Sequence, residues 1–181
     1  MPWRRCRCDA GFTLVELVIG LAVLAMLLGF ALPSMSRFLA EQELLGEARR
    51  LSEAVLLARS EAVKRNGHVV ICATTPTQPC GSARHWHEGW LVFVDANADA
   101  EPDPGEPIIG REGPAAVGVT EIGNRPVAQY FRFDYLGQAR LTSGALQMGT
   151  VDVCRPGLRG YHVVLANSGR TRIDRAGGIC P

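Results

Sequence analysis

The run of residues 12 to 32, FTLVELVIGLAVLAMLLGFAL, constrains this chain more than any other feature. As a helix rising about 1.5 Å per residue it covers roughly 31 Å, one hydrocarbon thickness of a bilayer. The eleven residues before it hold Arg4, Arg5 and Arg7, so the positive flank stays cytoplasmic and the remainder is exported. A cleaved secretory signal ends in a small-residue cut site. Here PSMSRFLAEQELL follows instead, which reads as continued helix. One carboxylate, Glu16, stands inside the run. Such a group costs about 2.5–3.5 kcal/mol near the centre of a membrane helix, so Glu16 needs a partner.

Behind this segment lie about 150 residues, enough for one well-buried domain. A formal net charge of +1 gives no global argument for nucleic acid, so any such function has to come from a local patch. Cys6 and Cys8 precede the apolar run, whereas Cys72, Cys80, Cys154 and Cys180 follow it. An even number in an exported domain suggests two disulfides, and four cysteines allow three pairings. Joining neighbours, Cys72 to Cys80 and Cys154 to Cys180, closes one local loop each. A metal site is the competing reading, but close CxxC pairs are missing.

After Pro33 the pattern turns amphipathic. Leu44, Ala48, Leu51, Val55, Ala58 and Ala62 recur at spacings of three and four, while Arg49, Arg50, Glu53, Arg59, Glu61 and Lys64 fall mostly elsewhere. Asn66 and Gly67 form a helix stop signal. From His68 the period becomes that of strands: HVVICAT, GWLVFVDA, PIIGRE, AQYFRFD, TVDVC and GYHVVLANSGRTRI are β-branched or aromatic runs broken by turn residues. The fold class expected is α+β, a long N-terminal helix whose second half packs on a C-terminal antiparallel β domain.

The stretch G-FTLVELVIGLAVLAMLLGFALP resembles the N-terminus of type IV prepilins and type II secretion pseudopilins. The resemblance implies that a prepilin peptidase removes residues 1–11 after Gly11, and that Phe12 becomes the methylated new terminus. It implies that Glu16 pairs with a neighbouring subunit's terminal amine, and Pro33 matches the family's helix-loosening proline. Residues 12–33 would then be the membrane and assembly half of the helix, 34–66 its amphipathic half, and 67–181 the exported β domain. The order of motifs through HWHEGWLVFVDANADAEPDPGEPII to SGRTRI is similar to the FimT/GspH branch of the superfamily. The location implied is the inner membrane as a single pass, then the pilus at the cell surface, with other pilin subunits as partners.

Three constellations bear on chemistry. In DANADAEPDPGE, residues 95–106, Asp95, Asn97, Asp99, Glu101, Asp103 and Glu106 place oxygens at calcium-loop intervals. Ala100 stands where such a loop wants glycine, and the plainer reading is a solvated acidic hairpin. In HWHE, His85 and His87 lie two apart, on one side of a strand, with only His68 or Glu88 to complete a metal site, and the plainer reading is a loop-to-strand junction. No nucleophile–base arrangement is visible, so an enzyme is not expected. The C-terminal region carries Arg155, Arg159, Arg170, Arg172 and Arg175 against one acidic side chain, Asp174. Arginine forks match phosphate oxygens, and such a cluster tracks a nucleic-acid backbone without reading sequence. At strand spacing Arg170 and Arg172 should share a face, whereas the plainer reading is a charged edge that blocks aggregation. Gly169, Arg170 and Arg172 match the Gly-Arg-x-Arg motif of FimT-like minor pilins. That resemblance implies sequence-independent capture of extracellular DNA in natural transformation, the alternative being a GspH-like tip subunit of a secretion pseudopilus with a secreted substrate. No cofactor is expected beyond the weak calcium candidate.

Overall fold

The computed structural model describes residue 11 and residues 13–75, 80 and 85–181. The chain divides into two units, residues 1–40 and 41–181, and one helix, α1 (Leu14–Arg65), runs from the first into the second. Within the first unit α1 leaves large apolar side chains open on every side, among them Leu14, Leu17, Ile19, Met26 and Phe38. A helix that is apolar all round is normally covered by lipid or by other helices. Among the described residues no helix is long and apolar enough to cross a membrane. The expected span of residues 12–33 takes in Phe12, which lies outside the described residues, as do Cys6 and Cys8.

In the second unit the periodic stripe of α1 is the core. Leu44, Ala48, Leu51, Val55, Ala58 and Ala62 are all fully buried. The helix closes on a Schellman motif: Asn66 takes a left-handed φ of 52°, its amide donates to the Val63 carbonyl at 3.2 Å, and the Gly67 amide donates to Ala62 at 3.1 Å.

Two antiparallel four-stranded sheets complete the unit. The first has the order β3 (Ile108–Glu112), β2 (Trp90–Val94), β1 (Val69–Ala73), β5 (Tyr130–Phe133). The second runs β4 (Thr120–Gly123), β6 (Gly149–Cys154), β7 (Arg159–Leu165), β8 (Thr171–Ile179). Strand β1 is central and buried on both faces, which explains its unbroken apolar sequence. On one side Val70, Cys72, Leu91, Phe93 and Ala100 form a separate apolar cluster with Cys80 and Tyr130 packed against it. Cys72 is joined to Cys80, and Cys154 to Cys180, each with Cα atoms 5.6 Å apart. Gly160 passes so close to the second bridge that a Cβ there would lie 2.8 Å from Cys180 Sγ and 2.9 Å from Cys154 Sγ.

Strand β4 is not among the runs that the sequence pattern marks as strands. Its four residues, TEIG, end in glycine and carry a carboxylate, Glu121, at an inward position. Glu121 is fully buried, and neither carboxylate oxygen has a hydrogen-bond partner. Nearby on α1, Arg50 pairs with Glu47 at 2.9 Å and lies over the Trp90 ring at 4.7 Å. Burial pushes the Glu121 carboxyl up to about 8, with Arg50 opposing and Glu47 adding to the shift. The folded chain therefore holds a proton that the unfolded chain releases near 4.5, the ordinary carboxyl value. Stability from this group is complete below 4.5 and is lost as pH rises through about 8. Thermal unfolding of wild type and Glu121→Gln should show a gap favouring the variant that widens across that interval. Parallel curves would mean that Glu121 is ionised in the fold.

Candidate functional site

At the N-terminus Thr13 and Glu16 form a capping box. The Thr13 amide and hydroxyl each donate to Glu16 Oε2 at 2.9 Å, and the Glu16 amide donates to Thr13 Oγ1 at 3.2 Å. The sequence carries the signal, a threonine three residues before a glutamate at the start of an apolar run. Gly11 is exposed, and Phe12 lies outside the described residues.

The acidic loop spends its oxygens on itself. Asp95, 1% exposed, accepts from the amides of Asp99 and Ala100, both at 3.2 Å. Glu106 accepts from the amides of Ala96 at 2.7 Å and Asp103 at 3.0 Å. Asn97 donates to Asp99 and Asp103, each at 2.8 Å, and Asp99 accepts from the Glu101 amide, also at 2.8 Å. The Arg132 Nε lies 3.4 Å from Asp95 Oδ2, both side chains being buried. The loop is thus pinned over the Val70–Phe93 cluster, into which it inserts Ala100. Ala98 and Ala100 take φ of 67° and 65°, left-handed values that favour glycine. Among the described residues no group of three or more His, Cys, Asp or Glu side chains is placed to hold a metal ion.

HWHE forms the turn that leads into β2 and does not itself lie on a strand. Trp86–Glu88 is a single 3-10 turn, buried through Trp86, whose indole donates to the Val127 carbonyl at 3.0 Å. His85 and His87 meet edge to face with ring centroids 5.2 Å apart, and His87 Nδ1 accepts the Glu121 amide at 3.2 Å. His68 lies elsewhere, against Arg132, and burial lowers its pKa.

The five C-terminal arginines separate into two groups. Arg155 is mostly buried, donating to Glu43 on α1 at 2.7 Å and to the Val117 carbonyl at 2.9 Å. Arg175 pairs with Glu41, also on α1, at 3.3 Å. Thr171 meets α1 as well, its hydroxyl 2.8 Å from that of Ser52. Alternation along β8 therefore turns Thr171, Ile173 and Arg175 toward the helix and Arg172 and Asp174 outward. Arg172 is 65% exposed and shares a 2.8 Å ion pair with Asp174. Arg170 is exposed in the turn just ahead of β8, and Arg159 is exposed at the far end of β7. Gly169, with φ 76°, lets this turn approach α1: a Cβ there would collide with the Gly137 carbonyl, which Arg59 of α1 already holds at 2.9 Å. Arg170 and Arg172 thus project from the tip of the β7–β8 hairpin on a clamped turn, whereas Arg155 and Arg175 brace the sheet against the helix.

Replacing Asp95 by Asn should lower stability by about 3–5 kcal/mol, because Arg132 is left buried without its counter-charge. Millimolar calcium should leave the melting temperature of the wild type where it is; a clear rise would show that the loop oxygens turn to a cation.

A family model described as Type II transport protein GspH matches residues 47–169, and one for the prokaryotic N-terminal methylation motif matches residues 6–32. The Pilin-like protein PilA1 of Thermus thermophilus is 41% identical over 98 residues, 53% of this chain and 54% of that protein. The chain thus spans about half the length of that curated relative. Two crystal structures of the type IV minor pilin FimU of Pseudomonas aeruginosa share the fold. One has a TM-score of 0.59 at 20% identity, covering 76% of this chain and 92% of that one. The other has 0.55 at 18%, covering 72% and 91%.

Proposed function

We propose, for a chain that belongs to the GspH family within the superfamily of type IV minor pilins and pseudopilins, a role as a minor pilin that captures extracellular DNA. The observation that carries this reading is the β7–β8 tip, where Arg170 and Arg172 are exposed on a turn held by Gly169. The Arg172–Asp174 pair is an exposed one of the kind worth about 0–1 kcal/mol, so a phosphate competes for that guanidinium at little cost. The exposed apolar side chains of α1 from Leu14 to Leu27, with Met35, Phe38 and Leu39 further on, support insertion in the inner membrane before assembly, and removal of residues 1–11 by a prepilin peptidase goes with it.

Binding of DNA by the full chain in mild detergent should weaken steeply with salt and be indifferent to sequence. Each neutralised phosphate contributes about −0.9 to the slope of log K against log salt on duplex. Arg170→Ala with Arg172→Ala should reduce that slope by about 2 and remove most of the affinity. Arg155→Ala should instead lower thermal stability, because Glu43 and the Val117 carbonyl lose their donor. A second reading, a structural subunit near the tip of a secretion pseudopilus, is favoured by the diversion of Arg155 and Arg175 to helix carboxylates. Binding unaffected by the double substitution would select it.

For Glu16 the proposal is an exchange of partners, from Thr13 within the chain to a neighbouring subunit's terminal amine. Glu16→Gln, which keeps a hydrogen-bonding cap but loses the charge, should be processed normally yet fail to enter pili. Normal incorporation would reduce Glu16 to a helix cap.

A further inference from the structure

Beside Arg172, on the outer face of the second sheet, lies a shallow hollow of about 380 Å³. Cross-strand register aligns Thr150, Val164 and Arg172 in one row over β6, β7 and β8, so Val164 forms the floor and Arg172 one wall. Met148, 49% exposed, and Asn167 in the hairpin turn close the other sides. Thr150 and Asn167 bring a hydroxyl and a side-chain amide to its rim. The hollow therefore offers an apolar seat, a polarisable thioether and two polar side chains, next to exposed cations.

The neighbouring row carries the opposite sign. Asp152, His162 and Asp174 stand side by side across the same three strands, with His162 Nδ1 2.6 Å from Asp152. A backbone of phosphates lying over Arg170 and Arg172 thus meets carboxylates one row further on. There is room for one strand's charges and repulsion for a second set.

We propose that this hollow seats one unstacked nucleobase of a DNA single strand whose phosphates lie on Arg170 and Arg172. The inference rests on the DNA-binding reading above and specifies its substrate as single-stranded. A base presents a π-face whatever its identity, so a seat made of Val164 and Met148 accepts any of them, and sulfur adds a favourable contact with the ring. A duplex keeps its bases paired and stacked, and so leaves the seat empty.

The test compares three fluorescent probes of equal length on the full chain in mild detergent: a thymidine strand, an abasic deoxyribose-phosphate strand and a duplex. The thymidine strand should bind about tenfold more tightly than the abasic one. Met148→Ala with Val164→Thr, which strips the apolar floor while keeping a β-branched residue in β7, should collapse that ratio. Equal binding of the two strands, with both lost in Arg170→Ala/Arg172→Ala, overturns the base seat and leaves DNA capture standing. A ratio that survives the floor substitutions places the base elsewhere and overturns it too. Failure of every probe, or binding indifferent to the two arginines, removes the DNA reading itself.

Discussion

Everything in the second unit depends on the burial of one helix stripe. Leu44, Leu51 and Val55 supply bulk, while Ala48, Ala58 and Ala62 keep the surface low enough for sheet backbone to come close. Each buried leucine or valine contributes about 1.5–3 kcal/mol, and truncating a leucine costs about 2–5 kcal/mol. Polar ties flank the stripe along its length: Glu41 to Arg175, Glu43 to Arg155, Glu47 to the Ala116 amide, Ser52 to Thr171, and Arg59 to the Gly137 carbonyl. The apolar term provides the attraction and the ties fix the register. The Gly169 turn that presents Arg170 is placed by the last of these contacts, so the geometry of the candidate site is inherited from the helix.

The division of the arginines follows from the same arrangement. Two cations of similar sequence context do opposite things because β8 alternates its faces, and only one face sees α1. Arg172 meets solvent and a local carboxylate two residues away, whereas Arg175 reaches a carboxylate 134 residues distant. Local electrostatics at the tip is therefore weak and exchangeable. At the helix Arg155 is anchored by burial and by its second acceptor, the Val117 carbonyl.

What was legible in the sequence was what period and composition encode. The stripe from Leu44 to Ala62, the stop at Asn66 and Gly67, and the apolar runs that became β1, β2, β5, β6 and β7 all lie within windows where spacing reports burial. Strand β4 was not legible, because a buried carboxylate at Glu121 breaks the alternation by which a strand is known. Nor was the role of Arg155, whose partner is 112 residues away and leaves no local trace. The acidic loop shows the same limit from the other side. Its spacing of oxygens suits a cation, yet those oxygens face backbone amides and Arg132, because the loop has an apolar cluster to cover. The Thr13–Glu16 cap differs, because its signal is local: a threonine three residues before a glutamate.

The bridge from Cys154 to Cys180 has a mechanical consequence. It joins the end of β6 to the end of β8 and encloses β7, β8 and the turn between them in one covalent ring, with a sequence separation of 26. Arg170 and Arg172 sit at the ring's far tip. A tether pulling there loads two strands side by side, both already close to full extension, and neither can be drawn out past the sulfurs. A load at the tip falls instead on the hydrogen-bonded pairing of β7 with β6. A hairpin closed in this way has no slack chain to give up at its tip.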